Sequence, residues 1–333
     1  MSTTLNPMNR AANHTRLRGE FSAMVTGNHQ LCQEHYRLAL RVENFPPSEP
    51  GQFVEILCDP QAHSPEPREL EWQPGHKAPV PDEPYFTTDL PYLRRPFSIA
   101  GRRDGPGRAW TDLDIIHRVV GKATGILETL RPGDHVSILG PLGKGFRISA
   151  DIKHALLVGG GVGIPPMIYL AEKVSRSGKS AVAFAGAQKG SLVSLTFPPG
   201  SPLPPPEAVP VLNTAEFAAF GVPTIIATDD GSLGFAGYVT GALECFLTSH
   251  PELSRANTII YCCGPTPMMK ATSLVANKFD IACQVSLEQP MAFGMGTCQS
   301  CVIKFRVPES SDWVYKLTCT DGPVFDSADI IWP

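Results

Sequence analysis

Short runs of alternating or apolar residues, separated by turn residues, occupy the part of the chain from residue 21 to about residue 150. The clearest runs are 36–42, 53–57, 113–120 and 135–139. Such runs are typical of half-buried strands in an antiparallel sheet. We therefore predict an antiparallel barrel over residues 21–150, with a sandwich as the alternative arrangement. A stretch rich in proline and charge at 59–92 interrupts the pattern and is predicted to be a surface insertion.

The pattern changes near residue 152. A fully apolar run at 155–158 leads into glycines and then into residues 167–174, whose apolar positions have helical spacing. Further short apolar runs follow at 181–185, 224–228 and 258–262. Alternation of strand and helix predicts a parallel sheet with helices over residues 151–285.

The two ends of the chain differ from these regions. Residues 1–20 are polar and are predicted to form a flexible tail. Residues 286–333 contain their own cysteine cluster and are predicted to be a small third module. The fold class expected is thus multidomain, combining a β-barrel, an α/β sheet and a C-terminal module.

Composition narrows the possible functions. The 333 residues are 42% hydrophobic and 18% charged, with a formal net charge of −4. This balance permits large buried cores and does not favour binding to nucleic acid or to an anionic membrane. No apolar run is long enough to span a bilayer, and no signal peptide is recognisable. The nine cysteines do not form a secreted disulfide pattern, so we expect a reducing cytoplasm.

Two motifs in the barrel region could bind a flavin. In Arg95-Pro96-Phe97-Ser98, the arginine could hold a pyrophosphate, the aromatic ring could cover a flavin face, and the serine could reach a ring nitrogen or carbonyl. Ile116-His117-Arg118 lies in a predicted strand. Ala123 then leads into a predicted helix from Thr124 to Leu130, whose free N–H groups could bind phosphate. Taken singly, each motif fits an ordinary strand or an ordinary helix cap.

Two further motifs follow predicted parallel strands. Gly160, Gly161 and Gly163 lie in a glycine turn, and Pro165 suits the first turn of the helix after it. The strand before and the helix after satisfy the context expected of a dinucleotide site. Cys263-Gly264-Pro265 follows another strand and should lie nearby. The thiol of Cys263 could lie near a nicotinamide or be buried and inert.

The last motif is a cysteine cluster. Plant-type [2Fe–2S] sites have the spacing C-x4-C-x2-C…C. Cys298, Cys301 and Cys319 match the last three positions, and Phe293 stands at the first. A decayed loop with free thiols and a zinc site are the alternatives.

In this order, from about Phe21 to Phe325, the motifs resemble the electron-transfer subunits of NAD-dependent dihydroorotate dehydrogenase, within the ferredoxin-reductase superfamily. The resemblance implies FAD at the barrel motifs, NAD at the glycine turn and the Cys263 loop, and a [2Fe–2S] module. It also implies a partner subunit that contains FMN, in a heterotetramer. Electrons from dihydroorotate would pass through FMN, cluster and FAD to NAD⁺, in pyrimidine biosynthesis.

The sequence departs from that family at three positions. His117 replaces a usual tyrosine, Ala123 a usual glycine, and Phe293 the first cluster cysteine. The last departure leads to the hypothesis that the cluster is absent or labile. Two other functions stay open: a stand-alone, hydrogenase-linked or ferredoxin-linked NAD(P)H flavin oxidoreductase, and a non-enzymatic subunit with a vestigial site. NAD is favoured over NADP because the stretch 186–190 offers Lys189 but no arginine cluster for a 2′-phosphate.

Overall fold

The computed structural model describes residues 18–58, 91, 93–307, 310 and 312–333. The predicted tail lies outside the described residues as far as residue 17, and the predicted insertion lies outside them at 59–90 and 92. The first strand begins at Gly19, so the last two residues of the predicted tail belong to the barrel.

Six antiparallel strands close into a barrel in the order β1-β2-β5-β4-β3-β6. Alternate residues such as Val54 and Ile56 point inward and are fully buried, as the alternating sequence pattern requires. The predicted barrel is confirmed. The strands are β1 (Gly19–Cys32), β2 (His35–Glu43), β3 (Phe53–Ile56), β4 (Arg95–Asp104), β5 (Trp110–Arg118) and β6 (His135–Leu142), with helix α1 (Lys122–Thr129) between the last two.

A second sheet has the order β10-β9-β8-β7-β11-β12-β15, and its first six strands are parallel. These strands are β7 (His154–Gly160), β8 (Ser180–Ala187), β9 (Thr224–Thr228), β10 (Phe235–Ala236), β11 (Thr258–Cys263) and β12 (Ala282–Ser286). One apolar core lies under α2 (Ile164–Arg176) and α3 (Ala215–Ala218), and a second lies under α4 (Val239–Ser249) and α5 (Thr266–Lys278). Among the described residues, no helix is both long and apolar enough to cross a membrane.

The C-terminal segment is not separate from this sheet. Strands β13 (Val302–Arg306) and β14 (Trp313–Leu317) form a hairpin, and β15 (Val324–Asp326) then pairs antiparallel with β12. Phe325 enters the second apolar core, where its ring lies 4.5 Å from that of Phe305. The predicted parallel sheet is therefore a mixed sheet, and residues 286–333 share its core.

The barrel and the sheet pack closely. The Tyr169 hydroxyl on α2 donates to the carbonyl oxygen of Ser48, at 2.8 Å, and Arg37 on β2 pairs with Glu216 on α3, at 2.7 Å. These contacts hold the barrel against the carboxyl ends of the parallel strands, where ligands of such sheets bind.

Candidate functional site

Most of the residues predicted to bind flavin border one cavity of about 390 Å³ between barrel and sheet. Seven of them line it: Pro96, Phe97, Ser98, Ile116, His117, Arg118 and Thr124. Two do not. Ala123 is buried in the barrel core, and the guanidinium of Arg95 donates hydrogen bonds to the carbonyl oxygens of Leu93 and Arg94, at 2.8 and 3.1 Å. Closure of the barrel thus brings β4, β5 and α1 to one cavity.

His117 is fully buried beside this cavity. Its ring lies 6.0 Å from that of Tyr36, nearly parallel to it, and 6.1 Å from the edge-on ring of Phe97. Neither of its nitrogens makes a well-aligned hydrogen bond in the described part of the chain, although the backbone of Thr124 lies close enough to favour the protonated ring slightly. Burial, aided by the nearby charge of His35, lowers the pKa of His117 to about 4. A neutral imidazole with unpartnered nitrogens beside the cavity suits a ligand with polar ring edges, as a flavin has.

Thr124 shapes the start of α1. The helix begins at Lys122, so Thr124 lies inside its first turn and not at its cap. Its hydroxyl oxygen accepts from the backbone N–H groups of Val120 and Gly121, at 2.9 and 3.2 Å. The hydroxyl therefore fixes the turn that leads from β5 into the helix, which corrects the predicted helix start at residue 124.

The glycine turn lies where the strand order of the sheet reverses. The chain runs from β7 outward to β10 and then returns to β11 on the other side of β7, so the loops after β7 and β11 are neighbours. A Cβ atom on Gly163 would overlap the carbonyl group of Cys263, and one on Gly160 would overlap Met268. Glycine is required here because the two loops touch.

A second cavity, of about 560 Å³, opens at this turn. Gly160, Gly161 and Pro265 line it, as predicted, while Gly163, Pro165, Cys263 and Gly264 are not among its lining residues and shape the turn from behind. Cys263 is buried, and desolvation raises the pKa of its thiol well above the ordinary value. Of the two roles open to Cys263, the buried thiol agrees with the structure.

The two cavities meet at three residues, Arg118, Val162 and Glu288, which border both. The Arg118 guanidinium pairs with Glu34 at 2.9 Å. Glu288 opens to solvent within the groove, although the surrounding protein raises the pKa of its carboxyl. Val162 and Glu288 were not among the predicted site residues. Ligands of parallel sheets bind beyond the carboxyl ends of the strands, and Glu288 comes two residues after β12. Because β12 was not predicted from the sequence, this signal was missed.

Two of the three cysteines, Cys301 and Cys319, pack on the outer face of β3, away from the barrel core. The sulfur atoms of Cys301 and Cys319 are 3.3 Å apart and buried against Phe53 and Leu142. The sulfur of Cys298 is 3.2 Å from the Ser300 hydroxyl oxygen. The Ser300 hydroxyl and nearby backbone N–H groups lower the pKa of Cys298 to about 7.

Phe293, at the first ligand position of the cluster motif, contributes no sulfur to this group of cysteines. Phe293 is 45% exposed. Its neighbour Gly294 has φ of +64° and lies over the Glu55 carboxyl on β3. Burial raises the pKa of that carboxyl to about 7; Arg94 and Arg95 oppose the rise, and the Cys298 thiolate adds to it. No group of three or more histidine, cysteine or acidic residues within the described ranges is already arranged around a metal position. By their spacing in the sequence, the three thiols match three of the four ligands of a [2Fe–2S] cluster.

The fold places the chain in a class. It is similar to a solved NADH-dependent reduced ferredoxin–NADP oxidoreductase, with a TM-score of 0.66 and 24% identity over 93% of this chain and 90% of that one. It is also similar to the ferredoxin reductase of a carbazole 1,9a-dioxygenase, with a TM-score of 0.52 and 18% identity over 79% and 67% of the two chains. The architecture is that of the ferredoxin-reductase type.

Sequence relatives define the family. The dihydroorotate dehydrogenase B (NAD(+)) electron transfer subunit of Geobacillus thermodenitrificans is 38% identical over 311 residues, 92% of this chain and 96% of the relative. That of Caldanaerobacter subterraneus is 30% identical over 316 residues, 95% and 100% of the two chains. A family model described as the iron–sulfur cluster binding domain of dihydroorotate dehydrogenase B matches residues 288–331. The chain belongs to the family of dihydroorotate dehydrogenase B electron transfer subunits, which confirms the resemblance.

Proposed function

We propose that this chain takes electrons from a dihydroorotate dehydrogenase catalytic subunit and delivers them to NAD⁺, in pyrimidine biosynthesis. The observation that carries this proposal is the shared wall of the two cavities, formed by Arg118, Val162 and Glu288. Ligands in the two cavities would face each other across it. When bound, FAD supplies the chemistry that converts single-electron transfer into hydride transfer.

The barrel cavity would hold FAD. Phe97 and His117 would contact the ring system, and Ser98 would offer a hydroxyl to its polar edge. The first turn of α1, built by Thr124, would hold the phosphates, because free helical N–H groups bind phosphate oxygens. Arg95 would join it by exchanging its two backbone carbonyl acceptors for phosphate oxygens, which a guanidinium binds strongly. The unpartnered nitrogens of His117 support this assignment.

The second cavity would hold NAD rather than NADP. Asp229 follows β9 and lines the cavity. Burial and the neighbouring Asp230 raise the pKa of its carboxyl. A carboxylate there would accept hydrogen bonds from ribose hydroxyls and repel a 2′-phosphate. The positive charge of Lys189 helps to lower the pKa of Asp230, so this lysine is already close to a carboxylate and is a poor binding group for a 2′-phosphate.

The partner would be an FMN-containing catalytic subunit in a heterotetramer. The relatives' name, electron transfer subunit, implies such a partner. All nine cysteines are free thiols, which suits a reducing compartment such as the cytoplasm.

A bulky side chain at the shared wall tests the proposal. Val162→Trp would fill the junction while leaving most of each cavity open. We expect the purified variant to keep its FAD, whereas NADH would reduce the flavin at least about tenfold more slowly in stopped-flow measurements, since small displacements of reacting groups cost rate steeply.

Val120→Trp is the matched control, because Val120 borders the flavin cavity alone and is 76% exposed. Equal rates in wild type and Val162→Trp would refute the shared-wall assignment. A wild-type protein that binds no flavin, or whose flavin NADH does not reduce, would overturn the proposed function itself.

A further inference from the structure

Glu55 is a carboxylate in an environment made for an apolar residue. It lies on β3 between Val54 and Ile56, which point into the barrel, so it points outward with Phe53. Its side chain is nevertheless fully buried, and neither carboxylate oxygen has a hydrogen-bond partner among the described residues. A buried acceptor without a partner requires an explanation, and a bound ion is one that fits an acidic side chain.

Among the described residues, neither of the two nearby arginines makes up for this. Arg94 uses its guanidinium on Glu20, on the Ser137 hydroxyl and on the Ser137 carbonyl oxygen, and Arg95 donates to two backbone carbonyls. Both arginines act on Glu55 only at longer range. The Glu55 carboxyl therefore has lone pairs available for something that the described residues do not contain.

The outer face of β3 is the face that meets the cysteine loop. Phe53 packs directly against Cys301 and Cys319. Two residues further along the strand, a Cβ atom placed on Gly294 would come within 2.7 Å of Glu55 Oε1. The absence of a side chain at Gly294 is what allows the carboxylate to lie beneath the residue that follows Phe293.

The chemistry of iron at this point favours an anionic oxygen. Phe293 offers no donor atom and is turned toward solvent. Carboxylate oxygens bind iron in non-haem and di-iron sites. A carboxylate also carries the same charge as the thiolate that it would replace, so the total charge of the four ligands is unchanged. Ser300, by contrast, is exposed and its hydroxyl already donates to the Pro290 carbonyl oxygen, at 3.1 Å.

We propose that Glu55 supplies the fourth ligand of a [2Fe–2S] cluster held by Cys298, Cys301 and Cys319, in place of residue 293. This inference rests on the proposed function, because it assumes an electron-transfer chain that carries a cluster. The sequence suggested that the cluster is absent or labile; the proposal is instead that the cluster is held by three thiolates and one oxygen ligand.

Four forms of the full chain test it: wild type, Glu55→Gln, Phe293→Cys and the double variant. Each is reconstituted anaerobically with iron and sulfide, and iron, FAD and Mössbauer spectra are then measured. We expect wild type to hold a cluster with two inequivalent ferric sites, because one iron would have a hard oxygen donor. Glu55→Gln should weaken iron retention at least about tenfold, the least that loss of a metal-site partner costs. Phe293→Cys should add thiolate-to-iron absorption.

The double variant separates a ligand from a structural role. If Glu55 is a ligand, the cysteine of Phe293→Cys restores iron retention even when residue 55 is glutamine. Failure of that rescue, or equal iron and identical spectra in wild type and Glu55→Gln, would overturn the inference. So would a wild type that holds no cluster while Phe293→Cys does. FAD content and flavin reduction by NADH, measured on the same samples, report on the proposed function independently of iron.

Discussion

At the scale of a single residue, the burial of His117 beside the flavin cavity should make the stability of the fold depend on pH. Burial favours the neutral imidazole and lowers its pKa in the folded chain to about 4. In the unfolded chain the pKa returns to about 6.5. Between these values the unfolded chain binds more protons, so stability is lost as the pH falls from 6.5 to 4.

Removing the imidazole should therefore flatten the acid side of the stability profile. At pH 4, His117 accounts for a loss of about 3 kcal/mol relative to neutral pH. We expect His117→Gln to lose that much less free energy of unfolding between pH 7 and pH 4 than wild type, measured by urea unfolding. His29→Gln, at an exposed position on β1, controls for removal of a histidine. Parallel profiles for His117→Gln and wild type would contradict the assignment.

Glu55 illustrates what a sequence pattern hides at this scale. A polar residue between Val54 and Ile56 matches the alternation of a half-buried strand and would ordinarily face water. Its burial depends on the C-terminal segment folding back over β3, a contact between residues more than two hundred positions apart. Local patterns carry no information about such a contact.

At the scale of elements, strands with a clear apolar or alternating pattern were predicted well, because burial of their side chains alone determines them. The runs at 155–158 and 258–262 became β7 and β11, and the alternating run at 36–42 became β2. Strand β12 contains a polar Gln284 that is nevertheless buried, and β15 has only three residues. Pairing with neighbours, rather than local pattern, makes these segments strands, and the sequence alone therefore suggested a detached C-terminal module.

The contact between the glycine turn and the β11 loop predicts a sharp effect at Gly163. A methyl group there would overlap the carbonyl group of Cys263, which is backbone and cannot swing away. We expect Gly163→Ala to lower the free energy of unfolding by about 1–3 kcal/mol, as overpacking does. Forcing the loops apart should also weaken NADH binding at least about tenfold, measured by fluorescence titration.

Gly125→Ala provides the matched control for that substitution. Gly125 lies inside α1, where a Cβ atom would meet nothing within 4 Å. Alanine there should stabilise the chain by about 0.5–1 kcal/mol, because it lowers the entropy of the unfolded helix segment. If Gly163→Ala behaved like Gly125→Ala, the two loops would not be in contact.

At the scale of the whole molecule, exposed apolar side chains are unevenly distributed. Of the fourteen large apolar side chains that are exposed among the described residues, six belong to the C-terminal segment: Phe293, Met295, Val302, Trp313, Val314 and Tyr315. Cys301 directly precedes β13, and Cys319 comes two residues after β14, so the hairpin and the cysteine loop are parts of one surface. Such concentrations mark interfaces.

This surface is where the catalytic subunit should dock, because electrons must enter the chain close to its cysteines. Trp313 and Tyr315 are the strongest anchors, since their rings lie 4.9 Å apart on the exposed hairpin and aromatic side chains dominate interface energies. Replacing both with serine should weaken assembly with the catalytic subunit by about tenfold to a hundredfold in titration calorimetry. Leu203→Ser with Leu274→Ser, at 82% and 63% exposed positions of the nucleotide-binding region, should leave it unchanged. Neither hairpin ring borders the flavin cavity or the cavity at the glycine turn, so NADH should still reduce the flavin of the double-serine variant, assayed without its partner, at the wild-type rate. Undiminished assembly of that variant would place the partner on another face.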